Sequence, residues 1–271
     1  MAHSEKVVSP ADISAKEFEN LLGRYPSLLQ SVSDGKAAKT GQKPLVDLDH
    51  YRYVEAPETF RLDNPNRAMV QDDVKSLVEW KLRHGKFRPT LMKFVSSNDP
   101  DTVEEIIQDA LEVYRDTSDA SAAVDILTKL KGIGPATASL LLSVHDSERV
   151  LFFSDEAFYW LCCNGKKDPI KYNKKEYAAL NAEAQKLIKR LGIKAMDLEK
   201  VAYVVINEGP GESGPKAEKG ELPMPSKPKT HVKQPATKAP KKSSGKRKQD
   251  SDEDKELVTA PLRRSKRNRP S

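Results

Sequence analysis

Cysteine, aromatic side chains and long apolar runs are all scarce in this chain of 271 residues. The two cysteines are the neighbours Cys162 and Cys163. Adjacent cysteines rarely bridge, so a disulfide framework is excluded, and so is a four-cysteine zinc or iron–sulfur site. The chain is expected in a reducing compartment, with no metal and no cofactor. No segment approaches the roughly 20 apolar residues needed to cross a bilayer, and Met1 to Pro10 lacks the apolar stretch of a secretory signal. No membrane partner is expected. Hydrophobic residues make up 37% and aromatics 6%, below the roughly 45–50% apolar share of an ordinary domain, so part of the chain is expected to build no core.

Charge locates that part. The chain carries 46 Lys or Arg against 40 Asp or Glu, a net of +6. Residues 209–271 hold 17 of the basic and 8 of the acidic residues, 9 of the 18 prolines, and no Phe, Tyr or Trp. This composition predicts a disordered basic tail. Residues 1–208 are left with 29 basic against 32 acidic residues, so all the excess positive charge is in the tail. Two clusters stand there, Lys241, Lys242, Lys246, Arg247 and Lys248, then Arg263, Arg264, Lys266 and Arg267, separated by the acidic stretch Asp250 to Glu256. Such clusters read as nuclear-import or nucleic-acid patches, which makes import receptors expected partners and the nucleus the expected location. A tail that merely keeps the chain soluble is the plain alternative.

The remainder reads as all-α. Apolar residues recur at Val103, Ile106, Ile107, Ala110, Leu111 and Tyr114, one face of a helix that Asn98-Asp99-Pro100 should start. Similar periodicity predicts helices over 14–32, 68–83, 120–130, 135–145, 155–162, 174–191 and 196–207, and Val150 to Phe153 alone looks strand-like. A Gly- and Lys-rich link between Ser33 and Lys43 suggests three parts: an N-terminal helix and linker over 1–43, a helical domain over 44–208 and the tail over 209–271.

The informative stretch is Leu130-Lys131-Gly132-Ile133-Gly134-Pro135-Ala136-Thr137-Ala138, between two amphipathic helices. Two glycines let the backbone turn tightly while Ile133 fills the gap between the helices, and Pro135 suits a first helical position. A hairpin of this kind presents backbone N–H groups and the positive end of a helix dipole, which together hold a phosphate without reading sequence. A bare helical hairpin with no ligand is the alternative.

This stretch resembles the helix–hairpin–helix DNA glycosylase superfamily, the group related to endonuclease III and the 3-methyladenine glycosylases. In that family an aspartate heads the next helix, and here Asp155 stands 21 residues after Gly134, in Phe152-Phe153-Ser154-Asp155-Glu156-Ala157. The resemblance covers residues 120–161. It implies an all-α fold, binding of double-stranded DNA through Lys131, Gly132, Ile133, Gly134 and Thr137, and Asp155 as the carboxylate that stabilises charge on the sugar as an N-glycosidic bond breaks. The target base would be extruded into a pocket. Strand-cleaving members carry a lysine where this chain has Ala136, and the family's Thr-His after the aspartate is Glu156-Ala157 here. Any glycosylase activity is therefore expected to be monofunctional. Asp155 or Ser154 is also what any helix uses as an N-cap.

Around this centre, Val78 to Pro89 interleaves basic and aromatic residues, and Lys86 and Arg88 are candidates for tracking a phosphate backbone. Lys81 falls near the middle of an apolar helix face, from which its ammonium is expected to snorkel to solvent, with an ammonium pointing into a pocket as the alternative. His145 reads as a packed or capping histidine, Cys162 and Cys163 as core, Glu156 as a solvated first-turn acid, and Tyr172, Tyr177 and Trp160 as core aromatics, with the lining of a base pocket as their alternative. Three functions remain open: a DNA glycosylase, a DNA- or chromatin-binding module or repair partner that has lost the chemistry, and a helical protein–protein adaptor. The slight negative balance of residues 1–208 leans toward the second.

Overall fold

The computed structural model describes residues 7–35, 38 and 41–208; the tail, with both basic clusters, lies outside them. The described residues form helices and no strand. In order these are α1 (Ala15–Gly35), α2 (Leu45–His50), a π-helical turn (Tyr51–Glu55), α3 (Ala56–Thr59), α4 (Gln71–His84), α5 (Leu91–Ser96), α6 (Pro100–Thr117), α7 (Ala120–Leu127), α8 (Pro135–His145), α9 (Asp155–Cys163), α10 (Lys174–Leu191) and α11 (Ala195–Glu208). Among the described residues no helix is long and apolar enough to cross a membrane.

Local chemistry sets several helix ends. Asp99 accepts from the Thr102 amide and Pro100 takes the first position of α6, while Asn173 and Glu176 form a reciprocal cap on α10. Ser118, Asn164 and Gly192 close α6, α9 and α10 in the left-handed conformation. Helix α1 buries Phe18, Tyr25 and Leu29 in the same core as the later helices, and Tyr25 meets Tyr203 of α11 edge-on at 5.9 Å. Helix α1 is therefore part of the same packed body as the helices from α2 onward.

At the centre stands α8, buried along its length from Ala136 to His145. Its polar residues each reach a different element. Thr137 Oγ1 accepts from Lys81 Nζ of α4 at 2.7 Å, and Ser139 Oγ accepts from the Phe153 amide at 2.9 Å. Ser143 Oγ accepts from Arg52 at 2.6 Å, and His145 Nδ1 donates to the Phe60 carbonyl at 2.6 Å. A helix with no solvent face still carries hydroxyls because each one is satisfied.

Val150 to Phe153 is extended and buried but pairs with no strand among the described residues. The Phe152 amide donates to Glu199 Oε1 at 2.7 Å and the Phe153 amide to Ser139, so side chains do the work of a ladder. Glu199, 4% exposed, also accepts from Tyr53 at 3.1 Å and from the fully buried Arg52 at 3.1 Å. Burial pushes the Glu199 carboxyl up, and Arg52 pulls against that shift.

Glu199→Ala is expected to cost about 3–5 kcal/mol, because it strands the Arg52 charge and frees the Phe152 amide; urea unfolding checks it. His145 sits 7% exposed, and burial pushes its imidazole down to about 4. Its contribution to stability is intact above the unfolded value near 6.5 and is lost as pH falls toward 4, by about 3 kcal/mol. Magnetic resonance of the ring protons checks it, and a midpoint near 6.5 would contradict the burial.

Candidate functional site

The hairpin is held from outside as well as within. Asn98 Oδ1 accepts from the Lys131 amide at 2.8 Å while Asn98 Nδ2 donates to the Lys131 carbonyl at 3.0 Å. Ile133 is 4% exposed and packs in the core, so any contact through it is limited to its backbone. The two glycines differ. Gly132 has φ +78, and a Cβ there would come within 2.9 Å of Phe94 Cβ and 3.2 Å of the Val95 amide. Gly134 has an ordinary φ of −91 and open space where a Cβ would stand. The turn therefore explains Gly132 and leaves Gly134 unexplained by packing. Gly134 is exposed at the head of α8, and its carbonyl accepts from the Thr137 and Ala138 amides.

Asp155 is the first residue of α9, and the cap is its neighbour: Ser154 Oγ accepts from the Ala157 amide at 3.0 Å. Asp155 is thus spared the capping role. Its Oδ1 accepts from the Tyr172 hydroxyl at 2.5 Å, and its Oδ2 lies 2.8 Å from Lys86 Nζ. The carboxylate raises the Lys86 pKa, and Tyr172 is raised by burial and by its bond to Asp155. Tyr172 holds φ +53, a left-handed conformation that costs a bulky residue of order 1–3 kcal/mol. That backbone sets its hydroxyl on Asp155, while Phe153 flanks its ring at 5.6 Å.

These residues open onto one cavity of about 880 Å³, lined among others by Gly132, Gly134, Thr137 and Asp155. That volume suits a ligand of nucleotide size. Lys86 and Arg88 stand at its exposed margin, with the Arg88 guanidinium 5.6 Å over the Tyr172 ring. Phe87, between them, is 73% exposed, and Phe94, beside the hairpin, is 53% exposed. Deeper in, the cavity is bounded by Trp80, His84, Phe152 and Tyr203. His84 stacks on Trp80 at 4.7 Å, and its Nε2 lies 3.2 Å from the Tyr25 hydroxyl, which donates to Asp49.

Of the residues picked out from sequence, Gly132, Gly134, Thr137, Lys86, Arg88 and Asp155 share the cavity wall. Lys131 is exposed on the hairpin, and Thr137 is 2% exposed with its hydroxyl turned to Lys81, away from any outer phosphate. Three expectations need correcting. Lys81 does not snorkel: its Nζ enters the cavity wall, bonded to Thr137 and 5.8 Å from the Phe152 ring centre. Burial and then Arg88 push it down to about 8, against the pull of Asp155. Glu156 is no solvated acid; it lines the cavity, and burial pushes its carboxyl up. Tyr172 belongs to the site, whereas Trp160 and Tyr177 are core. The position of Lys81 on an apolar face was a usable signal; nothing in the sequence marks Tyr172 for a left-handed backbone.

Cys162 and Cys163 are free and half-buried, and no group of three His, Cys, Asp or Glu residues that could hold a metal occurs among the described residues. No family model, curated protein or solved structure matches the chain.

Gly132→Ala is expected to destabilise the protein by about 1–3 kcal/mol, through a forbidden backbone and a clash. Gly134→Ala should be neutral or stabilising by up to about 1 kcal/mol, because its backbone suits alanine. Thermal unfolding of the two variants tests this contrast.

Proposed function

We propose that the chain binds duplex DNA and draws one nucleotide into the cavity, where Asp155 supports hydrolysis of an N-glycosidic bond. The observation that carries this reading is that Asp155 stands on the same cavity wall as the Gly132-Ile133-Gly134 hairpin, relieved of capping by Ser154. The resemblance to helix–hairpin–helix DNA glycosylases supports it on residues 120–161.

In this reading the amides at the head of α8 grip a phosphate, and Gly134 lets the strand approach where a side chain would intrude. Lys86 and Arg88 follow the backbone, and the exposed Phe87 and Phe94 stack on bases at the rim. The extruded base lies among Trp80, Phe152 and Tyr203, with Glu156 placed to hydrogen-bond its edge. As the base leaves with its bonding electron pair, positive charge grows on the sugar and Asp155 stabilises it, then accepts a proton from the attacking water. The tail would add salt-sensitive affinity and a nuclear address. Import receptors and chromatin or repair proteins are the partners this implies.

A second reading keeps the DNA contact and omits the chemistry. It is favoured by the occupancy of Asp155, whose two oxygens already face Tyr172 and Lys86, and by the 32 acidic against 29 basic residues of 1–208.

Single-turnover base release by the full chain, from duplexes each bearing one damaged or mismatched base, separates the two. Asp155→Asn is expected to slow release by about 100-fold or more. Equal product from both proteins, or none from either, removes the enzyme reading. Gly134→Ala, which leaves the fold intact, is expected to weaken duplex binding by about tenfold; unchanged binding would remove the hairpin from the interface.

A further inference from the structure

The mechanism above leaves a buried amine in the cavity unused. Lys81 comes from the last turn of α4, outside the hairpin and its flanking helices. Its Nζ donates to Thr137 Oγ1 at 2.7 Å, which fixes the amine, and the Phe152 ring stands 5.8 Å from it. It shares the cavity with Asp155, Arg88 and Tyr172. No carboxylate among the described residues pairs with it: Asp155 is engaged by Lys86 and Tyr172.

We propose that Lys81 is a catalytic amine that forms an imine with the open-chain aldehyde of a base-less deoxyribose held in the cavity. This rests on the DNA reading and names a substrate class for the same site: duplex DNA that already lacks a base. It also replaces the expectation, drawn from Ala136, that the chain has no amine for such a step.

The chemistry is redox-neutral. The neutral amine adds its lone pair to the aldehyde carbon C1′, a nitrogen–carbon bond forms, and the carbonyl π pair moves to oxygen, which takes a proton. The nitrogen gives up its two protons in turn, the new hydroxyl takes a second proton, the carbon–oxygen bond breaks as water leaves, and the nitrogen lone pair closes the C=N bond. Amine and aldehyde become imine and water, and no further reagent is consumed. The step needs free amine at neutral pH. An exposed lysine is neutral in only about one part in a thousand at pH 7.4. Lys81, pushed down to about 8 by burial and by the neighbouring Arg88, supplies far more, even with Asp155 drawing it the other way. Desolvation of a lysine beside another cation is a general route to an amine nucleophile.

A merely structural Lys81, bonding Thr137 and no more, forms no covalent adduct, and that difference is the test. The full chain is incubated with a duplex carrying a single abasic site, sodium borohydride is added to reduce any imine, and the attachment point is mapped by peptide mass spectrometry. Binding to the same duplex is measured alongside. The expected result is an adduct on Lys81 whose yield rises with pH through about 8, following the amine. Lys81→Arg keeps the charge and a donor for Thr137 but cannot form an imine, and its adduct should fall below about 1% of the parent. Duplex binding without an adduct overturns the role of Lys81 and leaves the DNA reading standing. An adduct on another lysine also overturns it, whether or not Lys81→Arg folds, because the mapping uses the parent protein. Absence of both binding and adduct overturns both readings.

Discussion

A carboxylate 4% exposed to water, Glu199 on α11, is the interaction on which the rest of the site depends. It receives the Phe152 amide, the Tyr53 hydroxyl and the Arg52 guanidinium, and so ties α11, the π-helical turn and the segment before α9 to one point. Burying such a pair is expensive, and well-packed apolar residues often serve stability as well or better. What the pair supplies here is position. The extended run Val150 to Phe153 has no neighbouring strand to register it, and two side-chain acceptors, Glu199 and Ser139, set its height against α8. Ser154 and Asp155 follow directly, so the placement of the candidate carboxylate is inherited from the core.

The same logic explains why α8 is rich in hydroxyls. Packing alone would favour a fully apolar central helix, and Leu140, Leu141, Leu142 and Val144 meet that need. Thr137, Ser139, Ser143 and His145 are interleaved with them, and each fixes a different neighbour. Two of the four bonds hold parts of the cavity wall, Lys81 and Phe153. Core and site are thus built from one helix.

Helical periodicity and capping residues were enough to read most of the fold: 135–145 and 174–191 were legible to the residue, and α6 began where Asp99 and Pro100 indicated. The short helices α2, α3 and α5 and the π-helical turn leave no such mark in the sequence, because four to six residues carry too little periodicity to stand out. Val150 to Phe153 misled for a physical reason. A buried apolar run looks like a strand whether its amides meet another backbone or, as here, side chains. Within the site, Gly132, Gly134 and Asp155 could be found because turn geometry and spacing leave local traces. Lys81 leaves a partial trace in its place on an apolar helix face, whereas Glu156 and Tyr172 take their character from neighbours distant in the chain.

Asn98 joins the hairpin to the ground beneath it. Besides its two bonds to the Lys131 main chain, its side chain donates to the Val95 carbonyl, and its own carbonyl accepts from Gln71 at the start of α4. The glycine turn is therefore tied through Asn98 to the first residue of α4, the helix whose last turn carries Lys81. Turn and amine thus belong to one frame, as the jaw and the bed of a vice set the depth of a workpiece.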